Sequence, residues 1–267
     1  MANRDELRAL AQNTLDICDD GCYLYNKEKI VLPPLGRTWY YDNKFDYKKN
    51  IENKKIFENT EITVYEESTI DAIHRNANDK HLGILNFASA RHAGGGFLNG
   101  AMAQEECLAY CSDLYDTQTC DIGKKYYENN ATVRHHSYYN GMMMTENCFF
   151  RDSSFKLVKN PTCCMVITAP AVNMGQVRKF NEPEKSAKQT MKNRMRNILY
   201  LFIYHRCTNI ILGAFGCGVF QNDPNDIARC WYELLVEEDL KKYFEKITFS
   251  ILNSRTGDNI TPFKKYF

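Results

Sequence analysis

Two glycine-rich loops constrain the fold of this chain most strongly, because each follows a short apolar run and precedes a helical pattern. The run Leu82–Phe87 leads into the triglycine Gly94-Gly95-Gly96, and the run Asn209–Leu212 leads into residues 213–218. Strands that alternate with loops and helices in this way predict an α/β sheet with helices on both faces. Both glycine loops should then lie at the carboxyl ends of strands, where open α/β sheets bind ligands.

The remaining pattern predicts further elements on both sides of these loops. Residues 3–18 have apolar positions at a helical period, and Gly21 is placed to end that helix. Residues 22–32 predict a hairpin, residues 42–59 an exposed irregular connection, and residues 117–144 show no clear period. Further strands are predicted at 62–65, 165–170 and 247–252, and further helices at 68–76, 104–115, 184–207 and 223–237.

Composition excludes several classes of protein. The 267 residues are 44% hydrophobic and 25% charged, which suits one large domain or a domain with a modest extension. A formal net charge of +1 predicts no direct binding to nucleic acid, which requires a concentrated basic surface. The longest apolar runs, such as residues 198–204, are too short to span a bilayer, so no membrane association is expected.

The cysteines indicate an intracellular protein without a metal site. There are 11 of them, an odd number, and the first residues do not form a secretory signal. We therefore expect reduced thiols and a cytoplasmic location, or a nuclear one in a eukaryote. No Cys-x-x-Cys spacing occurs, and His135-His136 has no second ligand pair at a suitable spacing.

The triglycine and the adjacent carboxylates predict a ligand site. Glycines leave no Cβ between the backbone and a ligand, and successive N–H groups can form an anion-binding concavity. Glu105-Glu106 follows within a few residues and opens the helix predicted from Gln104. Acidic residues in the first turn of a helix also stabilise the helix through its dipole, so the two glutamates alone do not prove a catalytic role. Residues 213–218, taken alone, could be a tight turn that binds no ligand. Together, two such loops suit a diphosphate, with a sugar lying between them and the carboxylates.

The same residues resemble a known family. Asn86-Phe87-Ala88-Ser89-Ala90-Arg91, the triglycine and Gln104-Glu105-Glu106 are similar to the motif of the microbial-type poly(ADP-ribose) glycohydrolases, and the similarity continues through residues 167–170 and 212–224. His92-Ala93 and Phe215 depart from the family, in which Asn-Pro and Trp are common at these places. The resemblance implies a macrodomain-like three-layer α/β/α sandwich with a mixed central sheet. It further implies a helical extension at residues 1–60 and a catalytic core at residues 61–267.

The resemblance also implies an activity, the hydrolysis of ribose–ribose O-glycosidic bonds with release of ADP-ribose. Glu106 would be the catalytic acid, and Glu105 would hold ribose hydroxyls. The other substrate-binding residues would be Asn86, Gly94, Gly95, Gly96, Phe97, Gln104, Gly213, Ala214, Phe215, Gly216, Cys217, Gly218, Val219 and Phe220. Phe220 would pack against the distal ribose, or it could belong to the core.

Partners and alternatives follow from the same resemblance. The expected partners are poly(ADP-ribose), ADP-ribose and ADP-ribosylated proteins, and the expected protein is a monomer that needs no cofactor or metal. Two other functions stay open: hydrolysis of mono-ADP-ribosyl groups, and binding of ADP-ribose without catalysis. Binding alone would not require the pair of glutamates.

Overall fold

The computed structural model describes residues 3–51, 54–253 and 257–267. Helix α1 (Arg4–Asp20) begins at the cap Asn3, whose side chain accepts the N–H groups of Asp5 and Glu6. It ends at Gly21, which has a left-handed φ of 62° that glycine adopts without strain. A two-stranded antiparallel hairpin follows, with β1 (Cys22–Tyr25) and β2 (Glu28–Val31). The predicted helix, its end and the hairpin are confirmed.

A seven-stranded mixed sheet forms the centre of the protein. Its strands are β3 (Thr38–Tyr41), β4 (Glu61–Tyr65), β5 (Leu82–Phe87), β6 (Met142–Arg151), β7 (Leu157–Ala169), β8 (Asn209–Leu212) and β9 (Lys246–Ser250). In space they lie in the order β3-β6-β7-β5-β8-β9-β4. The pairs β3–β6 and β6–β7 are antiparallel, and the other four pairs are parallel. The carboxyl ends of β5 and β8, from which the glycine loops leave, therefore meet at one edge of the sheet.

Helices cover both faces of this sheet. The other helices are α2 (Thr69–Arg75), α3 (Gln104–Cys111), α4 (Leu114–Thr119), α5 (Asp121–Ala131), α6 (Met174–Lys179), α7 (Glu184–Tyr204), α8 (Pro224–Tyr232) and α9 (Thr261–Tyr266). Alternate strand residues pack on opposite sides: Ile84 belongs to the apolar cluster with Leu7 of α1 and Leu108 of α3, whereas Leu85 belongs to the cluster with Ile198 of α7. The predicted three-layer sandwich is confirmed. None of the described helices is long and apolar enough to cross a membrane.

Several predicted elements differ from the observed ones. The helix predicted over 104–115 ends at Cys111, because Ser112 is extended and forms an isolated bridge with Phe149 of β6. The region 117–144 contains α5 and the start of β6. The buried side of α5 is formed by Gly123, Tyr126 and Asn130, which do not make an apolar stripe that the sequence pattern could reveal. After Tyr232 the last predicted helix continues only as a π-helical turn, Glu233–Glu237.

The amino-terminal segment contributes to the sheet itself. Strand β3 pairs with β6, with Trp39 opposite Met144, so one strand of the sheet comes from the range 1–60. The connection predicted to be exposed at 42–59 is partly buried, since Tyr47 and Ile51 pack in the cluster that covers α7. Residues 1–2, 52–53 and 254–256 lie outside the described residues, and the division of the chain at residue 60 stays a prediction.

Candidate active site

A cavity of about 390 Å³ opens at the carboxyl edge of the sheet. Phe87 at the end of β5 and Gln104 at the start of α3 line one side, and Ala214, Gly216 and Phe220 of the second glycine loop line the other. Further walls come from the start of α2 and the end of β9. The volume is within the range of small-molecule sites, which are about 300–1,000 Å³. The second glycine loop therefore borders this cavity, whereas the triglycine is not among its lining residues and is followed in the chain by Met102 and Ala103, which are.

Glu105, the residue after Gln104, is buried and is held by three hydrogen-bond donors. Its side chain is only 3% exposed. Oε1 accepts hydrogen bonds from Asn86 Nδ2 at 3.1 Å and Gln118 Nε2 at 3.2 Å, and Oε2 accepts the Ser89 N–H at 2.7 Å. Burial raises the pKa of Glu105 to about 8, and these three donors oppose that rise. Burial therefore favours the protonated form of Glu105 more than it does for a glutamate in solvent.

Glu106 is held in a different way and is partly exposed. Its Oε1 accepts the Gly96 N–H at 2.9 Å, and its Oε2 accepts the Ala103 N–H at 3.0 Å. The second bond is the side-chain half of a capping box at the start of α3. Both donors are backbone groups, so the carboxyl of Glu106 is fixed in place by the triglycine loop and by its own helix.

The triglycine brings the two carboxyls together. A Cβ on Gly95 would overlap Oε1 of Glu106 and lie 3.2 Å from Oε2 of Glu105, and the φ of Gly95 is +60°. The three N–H groups are all engaged inside the protein: Gly94 donates to Gln118 Oε1, Gly95 to the His92 carbonyl, and Gly96 to Glu106. In this structure the triglycine therefore offers no free N–H cradle for a diphosphate, in contrast to the prediction. Its glycines instead allow the loop to lie directly against the carboxyls.

Gln118 and Thr168 complete this network, and the sequence did not point to either of them. The Gln118 amide accepts the Gly94 N–H at 2.6 Å and donates to both Glu105 and Thr168 Oγ1. The Asn86 amide also donates to Thr168 Oγ1, at 3.2 Å. Gln118 lies on α4, in a region whose sequence shows no clear period, and no motif identifies it. Thr168 lies within residues 167–170, which resemble the family, but the sequence assigned it no role at the site.

Two atoms near Glu105 are buried without a hydrogen-bond partner among the described residues. They are Asn86 Oδ1 and the hydroxyl of Tyr127 on α5. Burial, followed by the charge of Glu105, raises the pKa of Tyr127 well above its ordinary value. Buried polar atoms are nearly always satisfied, so unpaired ones at a site indicate groups that await a ligand or water. Tyr127 joins Asn86 as a candidate site residue, although the sequence analysis did not single it out.

Gln104 connects α3 to the end of β5. Its Oε1 accepts the Phe87 N–H at 2.9 Å, and its Nε2 donates to the Leu85 carbonyl at 2.8 Å. Strand β8 pairs with β5 only as far as Ile84, so this amide satisfies the backbone groups that β8 leaves free. Gln104 lines the cavity and at the same time fixes the start of the helix that carries both glutamates.

Two predicted substrate-binding residues are in the core instead. Phe97 is fully buried and packs against the rings of Tyr110 and Tyr115 at 5.7 and 5.0 Å between centroids. Phe215 is fully buried and packs against Phe87 at 5.6 Å. Their glycine-rich surroundings suggested a ligand, but in both loops the aromatic ring points inward and anchors the loop. Both rings are buried in this structure, and contact of these two residues with substrate stays a prediction.

The glycines of the second loop differ in how much space surrounds them. Gly213 is buried, and a Cβ there would lie 2.8 Å from the Ser250 carbonyl. Gly216 has a φ of +75°, and its Cβ would lie 2.5 Å from the Cβ of Ala171. Gly218 is exposed, and a Cβ there would meet nothing within 4 Å. Only Gly218 lies beside open space at the cavity.

The other predicted residues of this loop also occupy different environments. Ala214 and Phe220 are half-buried and line the cavity, and the Phe220 carbonyl accepts the Gly175 N–H. Val219 lines the cavity too and is 81% exposed. Cys217 is half-buried, and burial raises the pKa of its thiol. Substrate contact by these residues stays a prediction.

Comparison with known proteins decides the family. The model of the family described as "Microbial-type PARG, catalytic domain" matches residues 11–152 of this chain. This chain belongs to the microbial-type PARG family. A search of curated proteins finds no significant match.

Solved PARG structures match the whole fold. The poly(ADP-ribose) glycohydrolase of Thermomonospora curvata bound to the inhibitor ADP-HPD is 28% identical, with a TM-score of 0.89 over 99% of this chain and 100% of that one. The enzyme from Deinococcus radiodurans in complex with ADP-ribose is 32% identical, with a TM-score of 0.80 over 86% of this chain and 93% of that one. Within the described residues, no group of three His, Cys, Asp or Glu side chains is arranged to hold a metal ion.

Proposed function

We propose that this protein hydrolyses the ribose–ribose O-glycosidic bond of poly(ADP-ribose) and releases ADP-ribose. Its membership of the microbial-type PARG family supports this activity, as does its likeness to PARG structures that hold ADP-ribose or an inhibitor. The observation that carries the proposal is the pair of carboxyls that meet over Gly95, on a helix whose first residue, Gln104, lines the same cavity as the second glycine loop. Binding of ADP-ribose alone does not require two carboxyls at this point.

The two glutamates suit different roles in a glycosidic cleavage. Glu106 is the more exposed of the two and is fixed by backbone donors, so it can reach the scissile bond in a constant orientation. As the acid it protonates the leaving ribose oxygen, and the bond from that oxygen to the anomeric carbon breaks. The resulting oxocarbenium-like centre is attacked by water, and the Glu106 carboxylate takes up the water proton. Glu105, Asn86 and Tyr127 hold ribose hydroxyls.

Proton occupancy of the pair fits these roles. Burial favours the neutral form of Glu105, which reduces the negative charge beside Glu106. The Gly96 and Ala103 N–H groups stabilise negative charge on Glu106, which suits its later role as the base.

The proposed setting is a monomer inside the cell, with ADP-ribosylated proteins as possible substrates. All eleven cysteines are free thiols, which suits a reducing compartment. Fractionation of cells that express a tagged protein tests the location, and light scattering of the purified protein tests the oligomeric state.

The activity is tested with two substrates and one matched pair of variants. The purified protein is incubated with poly(ADP-ribose) and, separately, with a mono-ADP-ribosylated protein, and released ADP-ribose is measured. We expect release from the polymer. Glu106→Gln should lose about a hundred- to ten-thousand-fold in turnover and keep its affinity for ADP-ribose, because the amide keeps the shape but transfers no proton.

The controls separate the alternatives. Glu105→Gln tests the neighbouring carboxyl, and we expect a loss of turnover together with weaker binding, because this residue positions the sugar. Release only from the mono-modified protein would assign a different hydrolase activity. Tight binding of ADP-ribose with no release from either substrate would leave a binding module and overturn the proposal.

A further inference from the structure

Phe220 has an aromatic neighbour that lies outside the cavity. The ring of Tyr138 lies 5.9 Å from the Phe220 ring, centroid to centroid, with 42° between the planes. Phe220 lines the cavity, whereas Tyr138 is not part of its lining. The two rings therefore form one aromatic surface that extends from the cavity to its outside.

The backbone of Tyr138 is in an unfavourable conformation. Its φ is +59°, in the left-handed region that bulky residues rarely adopt. Its hydroxyl accepts a hydrogen bond from Asn173 Nδ2 at 3.3 Å, and Asn173 follows the carboxyl end of β7. Strained residues of this kind persist only where the surroundings impose them, and they cluster at functional sites.

A buried arginine imposes this conformation. Arg194 on α7 is fully buried, and none of the ion pairs within the described residues includes it. Its Nη2 donates to the carbonyls of Ser137 at 2.8 Å and Tyr139 at 3.3 Å, and its Nη1 donates to the Pro170 carbonyl at 2.9 Å. Its Nε donates to Asn140 Oδ1 at 3.2 Å. One guanidinium therefore ties the loop around Tyr138 to the end of β7.

The buried Arg194 and the left-handed φ of Tyr138 both lower the stability of the folded protein. Burial lowers the pKa of Arg194 to about 10, so the group stays charged at neutral pH while it lacks a carboxylate partner. A buried cation and a left-handed tyrosine together place a single ring at the rim of the cavity. This points to a role for the ring outside the core.

We propose that Tyr138 contacts the ADP-ribose unit on the leaving side of the scissile bond, and that Arg194 is its positioning residue. This inference rests on the proposed function, since only a polymer has a unit at that place. The ring offers a flat surface for a sugar or an adenine, and such surfaces accept any base because every base has an aromatic face. Free ADP-ribose, the product, lacks this unit and cannot use the contact. Tyr138 thus favours the substrate over the product.

The test compares two ligands on a protein that does not turn over. In the Glu106→Gln background, affinities are measured by calorimetry for ADP-ribose and for a dimer of two linked ADP-ribose units. We expect the dimer to bind about fivefold to tenfold more tightly, as one aromatic contact provides. Tyr138→Ala should remove this preference and leave the affinity for ADP-ribose within about twofold of the background value.

Two further variants make the result specific. Tyr139→Ala is the matched control, because the hydroxyl of Tyr139 donates to Asn43 Oδ1, away from Phe220. The Tyr139→Ala protein should therefore still bind the dimer more tightly than ADP-ribose. Arg194→Lys should reduce the preference, because a single ammonium cannot reach all the carbonyls that the guanidinium holds. Thermal melts show whether each protein is folded. If Arg194→Lys does not fold, the Tyr138→Ala measurement decides alone.

The outcomes separate this inference from the proposed function. A dimer preference that survives Tyr138→Ala, or that is absent from the background protein, overturns the role of Tyr138. If the dimer preference depends on Tyr138 but the wild-type protein releases no ADP-ribose from the polymer, the contact of Tyr138 is upheld. The proposed hydrolase activity is then overturned.

Discussion

Glu105 and Glu106 are adjacent in sequence, yet their surroundings give them different properties. Successive helical residues point about 100° apart, so one side chain enters the protein beneath β5 and the other lies along the triglycine. Desolvation is the largest cause of the raised pKa of Glu105, whereas two backbone N–H groups hold the carboxyl of Glu106 in place. A pair of identical residues can thus supply one positioning group and one acid.

The raised pKa of Glu105 predicts a pH dependence of stability. Between its unfolded value of 4.5 and its folded value of about 8, the folded protein keeps a proton that the unfolded chain releases. The free energy of unfolding should therefore fall as pH rises through this window. We expect thermal melts to show a steeper fall in Tm from about pH 5 to pH 8 for the wild type than for Glu105→Gln, which has no proton to lose. Parallel curves would mean that folded Glu105 is already ionised at about pH 5.

Gly95 should be intolerant of even one methyl group. An alanine there would carry a left-handed φ, which costs about 1–2 kcal/mol, and its Cβ would overlap Oε1 of Glu106. We expect Gly95→Ala to reduce turnover at least about a hundredfold, the lower range for loss of a positioned acid. Gly21→Ala is the control, because Gly21 has the same kind of φ with nothing within 4 Å of the added Cβ. That variant should lose similar stability and keep its activity; equal losses of activity would refute the steric argument.

At the scale of elements, the site depends on helices that hold one another through polar side chains. Helix α4 supplies Gln118, which joins the triglycine, Glu105 and β7 at once. Helix α3 is tied to β5 by Gln104. The side-chain amides of Gln104 and Gln118 each form hydrogen bonds through both the oxygen and the nitrogen. The start of α3 is therefore fixed relative to the sheet. The acid is thus positioned by rigid elements and not by a free loop.

The second glycine loop allows a sharp comparison of two positions. Valine at Gly218 meets open space, so the protein should keep its Tm while the side chain narrows the cavity and weakens ADP-ribose binding. Valine at Gly216 would be strained by the φ of +75° and would collide with Ala171 and Asn222, so we expect a clear loss of stability. Calorimetric titration beside a thermal melt measures both effects. Unchanged affinity in a folded Gly218→Val protein would mean that this loop is only a turn.

At the scale of the whole molecule, the amino-terminal segment is part of the structure that supports the site. Strand β3 covers the edge of β6 from Met142 to Thr145, and α1 contributes Leu7 and Ala11 to the cluster that includes α3. An uncovered β6 would present unpaired backbone groups along a buried apolar strand.

Removal of residues 1–60 should therefore prevent stable folding. We expect the fragment 61–267 to aggregate or to melt well below the full chain. Solubility and circular dichroism of the fragment and the full chain provide the measurement. A fragment 61–267 that is soluble, folded and active would support a separate catalytic core.

Much of the fold was predictable because its signals are local. Apolar runs of strand length, the caps of α1 and α2, and glycines after strands depend on residues close in sequence, and all of these elements are observed. The missed elements have other causes. Strand β3 forms by pairing with β6, more than 100 residues further along the chain, and α5 buries polar and aromatic residues without an apolar stripe. Both depend on their neighbours in the folded protein for stability.

The sequence by itself determined that two glycine loops and a pair of glutamates would meet at one edge of an α/β sheet, because strand direction and strand–loop–helix order are local properties. Only the tertiary structure decided how the groups there are used. Asn86 reaches Thr168 across 82 positions, and Arg194 reaches Ser137 across 57. Such contacts bury the carboxyl of Glu105 and bring Gln118 to Gly94 of the triglycine. Their partners come from distant parts of the chain, and no local pattern records which of them will meet.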